Sequence, residues 1–297
     1  MMTRFLLFFG LLAAVNVQAE PLPVVTLSTV LTEVAEKVGG DKVRVIGLLE
    51  PGVDPHNFEP KPSDVAKVAG AKLILASGRN LEGYLTKLKE SSATQGVLVE
   101  VGNRLPGLEA KHDHDHGHSH GHDHGDVDPH WWHAVPNLVL AANVVRDELI
   151  KLDPANAVIY RKNAENYAIE LDALQKWVRV KLAELPRNQR NLVTSHDAFG
   201  YFAREYGFTV FGIDGVTKES QPTNRELVKV IDQVKKQKVK AIFTEVGANP
   251  KITEEIARST GVKIYGSLLA DGLGTGDEDT YEGMIKSNVT TIVNGLK

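Results

Sequence analysis

Short apolar runs alternate with amphipathic stretches along almost the whole chain, which is the pattern of an α/β protein built on parallel sheets. In the first half the runs Val24 to Leu27, Val43 to Leu49, Lys72 to Ala76 and Gly96 to Val101 read as strands. Helical spacing fills 28–40, 62–69 and 81–91 between them. In the second half, strands at Asn191 to Ser195, Thr209 to Ile213, Lys240 to Thr244 and Lys263 to Leu268 alternate with helices over 198–206, 223–237, 250–260 and 281–293. Between the halves, Asp153-Pro154 pairs a capping residue with proline at the first helical position. Helical spacing then runs to about Glu184, where Leu185-Pro186 stops it. At 1.5 Å per residue such a helix spans roughly 45 Å. The expected fold is α/β with two lobes, each a mainly parallel sheet of about four strands flanked by helices, joined by one long rigid helix. The expected divisions are an N-terminal lobe over 20–152, a linking helix over 153–185 and a C-terminal lobe over 186–297.

Residues 1–19 read as an export signal. Arg4 supplies the positive end, Phe5 to Val15 the apolar stretch, and Val17-Gln18-Ala19 the small-residue cleavage pattern. The apolar stretch is too short to span a bilayer comfortably. The sequence contains no cysteine, which excludes disulfides and thiolate ligands and leaves no lipid-acceptor thiol. A freely diffusing periplasmic protein, acting as a monomer, is the expectation. Thirty-four basic against 38 acidic residues leave a net charge of -4. No basic patch with interleaved aromatics is present, which excludes a nucleic-acid partner.

Seven of the 11 histidines stand at alternate positions in one tract: His112, His114, His116, His118, His120, His122 and His124, with only Asp, Gly and Ser between. Neutral imidazole is the commonest protein ligand for zinc and also suits copper and nickel. A flexible hydrophilic tether gathers metal in many ways and holds no single geometry, so the tract indicates auxiliary metal capture rather than the final site.

In open parallel sheets, ligands bind beyond the carboxyl ends of strands. Four potential metal ligands fall there: His56 after the second strand, His130 in Asp128-Pro129-His130-Trp131-Trp132, His196 directly after Asn191 to Ser195, and Asp271 after Lys263 to Leu268. Two come from each half, and three imidazoles with one carboxylate make a plausible tetrahedral zinc shell. His133, three residues from His130, is the alternative ligand; Pro129 stiffens the approach to His130 and favours the latter. Asp54, Glu59, Asp128 and Asp197 are better placed to take the other N–H of a ligating histidine, or to shape turns, than to ligate. Weaker signals carry little. Gly272 to Gly276 lacks a dinucleotide fingerprint, Asp277 to Asp279 lacks calcium-loop spacing, and Ser195-His196-Asp197 lacks a nucleophile elbow.

The stretches Asp54-Pro-His-Asn-Phe-Glu-Pro-Lys-Pro-Ser-Asp64, Asp128-Pro-His-Trp-Trp132, Ser195-His-Asp-Ala-Phe-Gly-Tyr-Phe202 and Leu269-Ala-Asp-Gly-Leu273 resemble, in order, those of the metal-specific solute-binding proteins of ABC transporters, the zinc-uptake branch above all. The likeness covers essentially the whole chain beyond residue 19. It implies two lobes bridged by one long helix, metal held between them, and a histidine-rich loop before the second ligand. The family's ligands fall on His56, His130, His196 and Asp271. The manganese branch typically has Glu where this chain has His196, which implies Zn2+ as cargo. It further implies an inner-membrane ABC permease as partner and leaves room for a periplasmic metal-donor protein. Trp131-Trp132-His133-Ala134 departs from the usual sequences of relatives and leaves the role of His133 open. With all four ligands in place no position stays open for an activated water, so no enzymatic activity is expected. The competing readings are a manganese- or iron-binding relative, a secreted zinc hydrolase if His196 or Asp271 does not ligate, and a metal buffer whose working part is the tract.

Overall fold

The computed structural model describes residues 20–109, 127–214 and 223–297; residues 1–19, expected to be an export signal, and the whole histidine tract, His112 to His124, lie outside them. In the first half, strands β1 (Leu22–Thr26), β2 (Val43–Gly47), β3 (Leu73–Ala76) and β4 (Val97–Glu100) form a parallel sheet in the order β2-β1-β3-β4. In the second, β5 (Asn191–His196), β6 (Thr209–Asp214), β7 (Ala241–Glu245) and β8 (Lys263–Leu268) form a parallel sheet in the equivalent order β6-β5-β7-β8. The two four-stranded parallel sheets and the long connecting helix are as the alternation of patterns predicts.

The helices are α1 (Thr29–Gly39), α2 (Pro62–Ala69), α3 (Leu85–Ser92), α4 (Val135–Leu152), α5 (Ala157–Leu182), α6 (Gly200–Tyr206), α7 (Asn224–Lys236), α8 (Lys251–Thr260) and α9 (Tyr281–Leu296). Helix α1 stops where Gly40 takes a φ of 55°, a conformation that costs a residue bearing Cβ about 1 kcal/mol or more. Helix α2 starts on Pro62, with the Asp64 carboxylate accepting the Lys61 N–H at 3.0 Å. In α5 the buried residues Tyr160, Ala164, Tyr167, Leu171, Leu174, Val178 and Leu182 recur every three or four positions, so one face is apolar throughout.

Two features differ from expectation. Helix α4 was not anticipated, although its buried positions Val135, Leu138, Ala141, Ala142, Val145 and Leu149 keep helical spacing; it packs antiparallel to α5 as a hairpin. Asp153 does not cap the long helix in the expected way. A 3-10 turn over Pro154–Asn156 intervenes, and the Asp153 carboxylate accepts from Tyr160 Oη at 2.6 Å and Asn156 Nδ2 at 2.7 Å.

The core has three parts. Val25, Leu48, Val68, Ile74 and Leu88 fill the space between the first sheet and α2–α3. Val193, Ile213, Val234, Ile242 and Ile256 do the same between the second sheet and α7–α8. The largest cluster runs without interruption from α1 and the inner face of the first sheet, through Trp131, Trp132 and the α4–α5 hairpin, to Phe199, Phe202, Phe243 and the buried face of α9. Each large apolar side chain taken from water contributes about 1.5–3 kcal/mol, so this shared core ties the two sheets into one body.

Candidate metal centre

The carboxyl ends of β2, β5, β7 and β8 all face the junction between the sheets. His56 hangs from the bend after β2, where its N–H donates to Asp54 Oδ1 at 2.9 Å, the local turn that Asp favours. His130 follows Asp128-Pro129, and its own N–H donates to Asp128 Oδ1 at 2.8 Å. His196 is the last residue of β5, and its N–H donates to Glu245 Oε1, at the end of the neighbouring strand β7, at 3.0 Å. Asp271 lies three residues past β8. Strands β5 and β7 flank the position where the strand order reverses direction, the usual ligand position in such sheets.

The four side chains converge. His56 Nε2 and His130 Nε2 lie 3.2 Å apart, and His130 Nε2 and His196 Nε2 lie 3.3 Å apart. Asp271 Oδ1 is 3.5, 3.5 and 3.4 Å from the Nε2 atoms of His56, His130 and His196. All four ligand atoms fall within 4.8 Å of one another. Five of the six separations are thus 3.2–3.5 Å, the edge length of a tetrahedron around a zinc with bonds of about 2.0–2.1 Å, so only the His56–His196 pair has to draw closer for an ion to be gripped by all four.

The imidazoles are aimed from behind. His130 Nδ1–H donates to Asp128 Oδ1 at 2.9 Å, and His196 Nδ1–H makes a short bond to Glu245 Oε2. These partners fix the tautomers so that the Nε2 lone pairs point at a common centre. His130 and His196 are fully buried. Gly200 makes room for this arrangement: a Cβ there would stand 2.5 Å from Asp128 Oδ2.

The cluster holds protons when it holds no metal. Burial disfavours a charged His196, but the Glu245 and Asp271 carboxylates outweigh it and push the imidazole up to about 10. His130 is likewise raised: burial opposes its charge and the hydrogen bonds to Asp128 and Asp271 prevail. His56 is lowered, chiefly by burial. For Asp271 burial favours the neutral acid, yet the three imidazoles hold it well below the usual carboxylate range. A divalent cation entering the centre therefore displaces protons.

His133, the alternative to His130, lies outside the group of converging side chains. Its ring stacks on Phe199 with centroids 4.4 Å apart, and its Nε2–H donates to the Ala270 carbonyl at 2.8 Å. Burial pushes its pKa down to about 3, so it is a neutral donor. Trp132 Nε1–H donates to the same carbonyl at 3.0 Å. Asn288 takes the Leu269 N–H and donates to the Leu269 carbonyl, each at 2.8 Å. The segment delivering Asp271 is thus tied to the segment delivering His130.

Among the acids expected to support the histidines, Asp128 meets His130 and Asp54 meets the backbone of His56; Glu245, absent from that expectation, supports His196. Arg79 was also missed. Its guanidinium donates to the carbonyls of Leu105 (2.8 Å), Pro106 (3.2 Å) and Asp128 (3.2 Å) and to Tyr201 Oη. It sits in a turn in which Gly78, Arg79 and Asn80 all have positive φ. Glu109 and Val127, on either side of the histidine tract, form an antiparallel bridge, so the chain returns from the tract three residues before His130.

Two α/β lobes closing on three imidazoles and a carboxylate define a metal-binding solute-binding protein. The chain belongs to the ZnuA family, described as zinc-uptake complex component A, periplasmic, whose profile matches residues 24–295. Members are metal-binding solute-binding proteins of ABC transporters that deliver to a membrane permease, and they are not enzymes. The chain is similar to the manganese-binding lipoprotein MntA of Bacillus subtilis (strain 168), 33% identical over 291 residues that cover 94% of this chain and 90% of the relative. It is similar to the iron-binding protein YfeA of Yersinia pestis, 32% identical with 94% and 87% covered. The zinc-binding protein TroA of Treponema pallidum is 32% identical with 100% and 95% covered. A solved structure of TroA superposes with a TM-score of 0.83 at 30% identity, covering 94% of this chain and 99% of that one. No helix among the described residues is long and apolar enough to cross a membrane.

Proposed function

We propose that this chain is a periplasmic zinc-binding protein that captures Zn2+ on His56, His130, His196 and Asp271 and hands it to an inner-membrane ABC permease. The observation that carries the choice of metal is the ligand set itself. Three nitrogens and one oxygen, five of their six separations at 3.2–3.5 Å and all within 4.8 Å, suit a four-coordinate zinc, whereas manganese prefers octahedral oxygen donors. The relative named for zinc supports the reading. Those named for manganese and iron at similar identity make these ions the competing cargoes, and imidazole also suits iron. With four protein ligands, the ion keeps no position for an activated water, unlike a catalytic zinc.

The histidine tract is proposed to raise local metal capture and pass ions to the centre, helped by its return three residues before His130; covering the mouth of the site is the other role it fits. A metal-donor protein is a compatible upstream partner, and a monomer is the proposed working form. With no cysteine in the sequence, the chain offers no thiol for the lipidation implied by the name of its Bacillus relative. This supports a freely diffusing, signal-processed form, which osmotic-shock fractionation tests.

Metal analysis of the purified protein, with competitive titrations of zinc, manganese and iron, tests the proposal. One zinc per chain should bind tightly after the tract is deleted, and His56→Ala or His196→Ala should weaken it by more than about a hundredfold, beyond the effect of losing a supporting partner. Preferential retention of manganese or iron, or unchanged affinity in either variant, would overturn it. Loss of the tight site on deleting residues 111–125 would sink the capture role.

A further inference from the structure

Asp271 follows the last strand of the C-terminal sheet, yet the segment that carries it is fastened to α1, in the N-terminal half. Thr29 and Glu33 lie one turn apart on the same face of α1. Thr29 Oγ1 accepts the N–H of Leu273 at 2.8 Å. The Glu33 carboxylate, 9% exposed, accepts the N–H of Tyr281 through Oε2 and the hydroxyl of Tyr167, on α5, through Oε1 at 2.9 Å. The two side chains thus hold both ends of the stretch from Leu273 to Tyr281. Contact is close: a Cβ on Gly272 would stand 2.5 Å from Thr29 Oγ1, so a larger residue beside Asp271 would push the hydroxyl away from Leu273. Asp271 is suspended between two fastenings, Ala270 held by Trp132 and His133 and Leu273 held by Thr29. Beside this stretch an open groove of about 550 Å³, lined by Thr32, Glu36, Gly47, Glu50, Asp279 and Thr280 among others, leaves it space to move once unfastened.

We infer that Thr29 and Glu33 are positioning residues that latch the Leu273–Tyr281 segment to α1, hold the Asp271 carboxylate in the metal centre and thereby set how fast the ion leaves. The latch rests on the proposed ligand role of Asp271. Neither residue touches the ion, so neither alters the donor set. Their effect reaches the metal only through the position of Asp271.

The test is zinc release from the full chain into excess chromogenic chelator, followed by stopped flow, alongside thermal unfolding of the metal-free protein. Thr29→Val keeps the shape and removes the acceptor. Release should quicken about fivefold, the equivalent of about 1 kcal/mol for one backbone hydrogen bond. Thr29→Ser, which keeps the hydroxyl, should release zinc as the parent does. Glu33→Ala, which frees Tyr281 N–H, should quicken release at least as much as Thr29→Val. In an Asp271→Ala background, Thr29→Val should add nothing, because the carboxylate it positions is gone. Parental release in both Thr29→Val and Glu33→Ala, or the same fivefold gain in the Asp271→Ala background, would overturn the latch while leaving the metal centre intact. If Asp271→Ala alone releases zinc at the parental rate, Asp271 is not a ligand; the proposed ligand set fails, and the latch with it.

Discussion

Glu245 offers the sharpest test of how the centre works, because it acts on His196 in two opposing ways. Its carboxylate takes both the backbone N–H and the Nδ1–H of His196, which aims Nε2 at the metal and raises its basicity. The same negative charge, with that of Asp271, overcomes burial and holds a proton on the metal-free imidazole up to about pH 10. At about pH 7 that proton must be expelled before zinc can bind, at a cost of about 4 kcal/mol for roughly three pH units. From the sequence alone, with an ordinary histidine, binding would fade only below about pH 6.5. The buried carboxylates move the fade upward, so apparent affinity should still climb with pH above neutrality, by up to about tenfold per unit from this group.

Glu245→Gln removes the charge and leaves one carbonyl oxygen. Above about pH 10, where His196 has given up its proton in both proteins, the variant should bind zinc about 10–100-fold more weakly, the usual cost of losing a carboxylate behind a ligating histidine. Toward neutral pH the parent is held back by its proton and the variant less so, because the loss of Glu245 lowers the imidazole pKa. The gap between them should therefore narrow as pH falls from about 10 to about 7. Competitive chelator titrations across that range measure it. Calorimetry in two buffers of different ionisation enthalpy should count fewer protons released by the variant near neutrality. A gap that stays constant, or widens toward acid, would show that Glu245 does not hold the proton that zinc displaces.

Other outcomes follow from the same geometry. His133→Phe keeps the stack on Phe199 and loses the donor to Ala270; it should cost about 1 kcal/mol in urea unfolding and reduce zinc affinity far less than His130→Ala, and an equal loss would make His133 a ligand after all. Gly200→Ala places a methyl 2.5 Å from Asp128 Oδ2, so it should weaken zinc binding by up to about tenfold through His130 with no change of charge; unchanged binding in a competition titration would count against that route. Because the inner core runs through both lobes, the radius of gyration from small-angle scattering should differ little with and without zinc, and a large change would refute a spine that resists opening.

Sheet number, strand direction and the four converging residues were legible because each depends on local pattern plus one general rule. His56, His196 and Asp271 stand just past runs that read as strands, and parallel sheets gather such positions at one edge. What was not legible depends on which elements become neighbours. Glu245 ends the apolar run Ala241–Glu245 like any polar residue at a strand terminus, and it becomes a partner of His196 only because β7 pairs with β5. Arg79 reads as one residue of a polar turn until the carbonyls of Leu105, Pro106 and Asp128 surround it. Helix α4 had the spacing of a buried helix and a proline in its first turn, but Ala134 at its start offers no side-chain cap, the commoner signal. His133 competed with His130 on spacing alone, and its bond to the Ala270 carbonyl, 137 residues away in sequence, could not be read from that spacing.

The fold itself does not choose the ion, since relatives named for manganese, iron and zinc share it at 32–33% identity. Selection therefore has to lie in the donor atoms and in what keeps them where they are. In this chain the imidazoles of His130 and His196 are braced by buried carboxylates and Asp271 by fastenings on either side, all within a continuous core. An ion that needs six ligands or longer bonds must spread the five separations of 3.2–3.5 Å against these braces, at the expense of hydrogen bonds each contributing about 1 kcal/mol or more. Replacing His196 with an oxygen donor alone would leave those braces in place. His196→Glu should accordingly lose zinc without gaining manganese, whereas loosening the Asp271 segment in the same variant should let manganese in; a single His196→Glu change that converts the preference in a direct competition titration would show that donor chemistry, and not the held spacing, makes the choice.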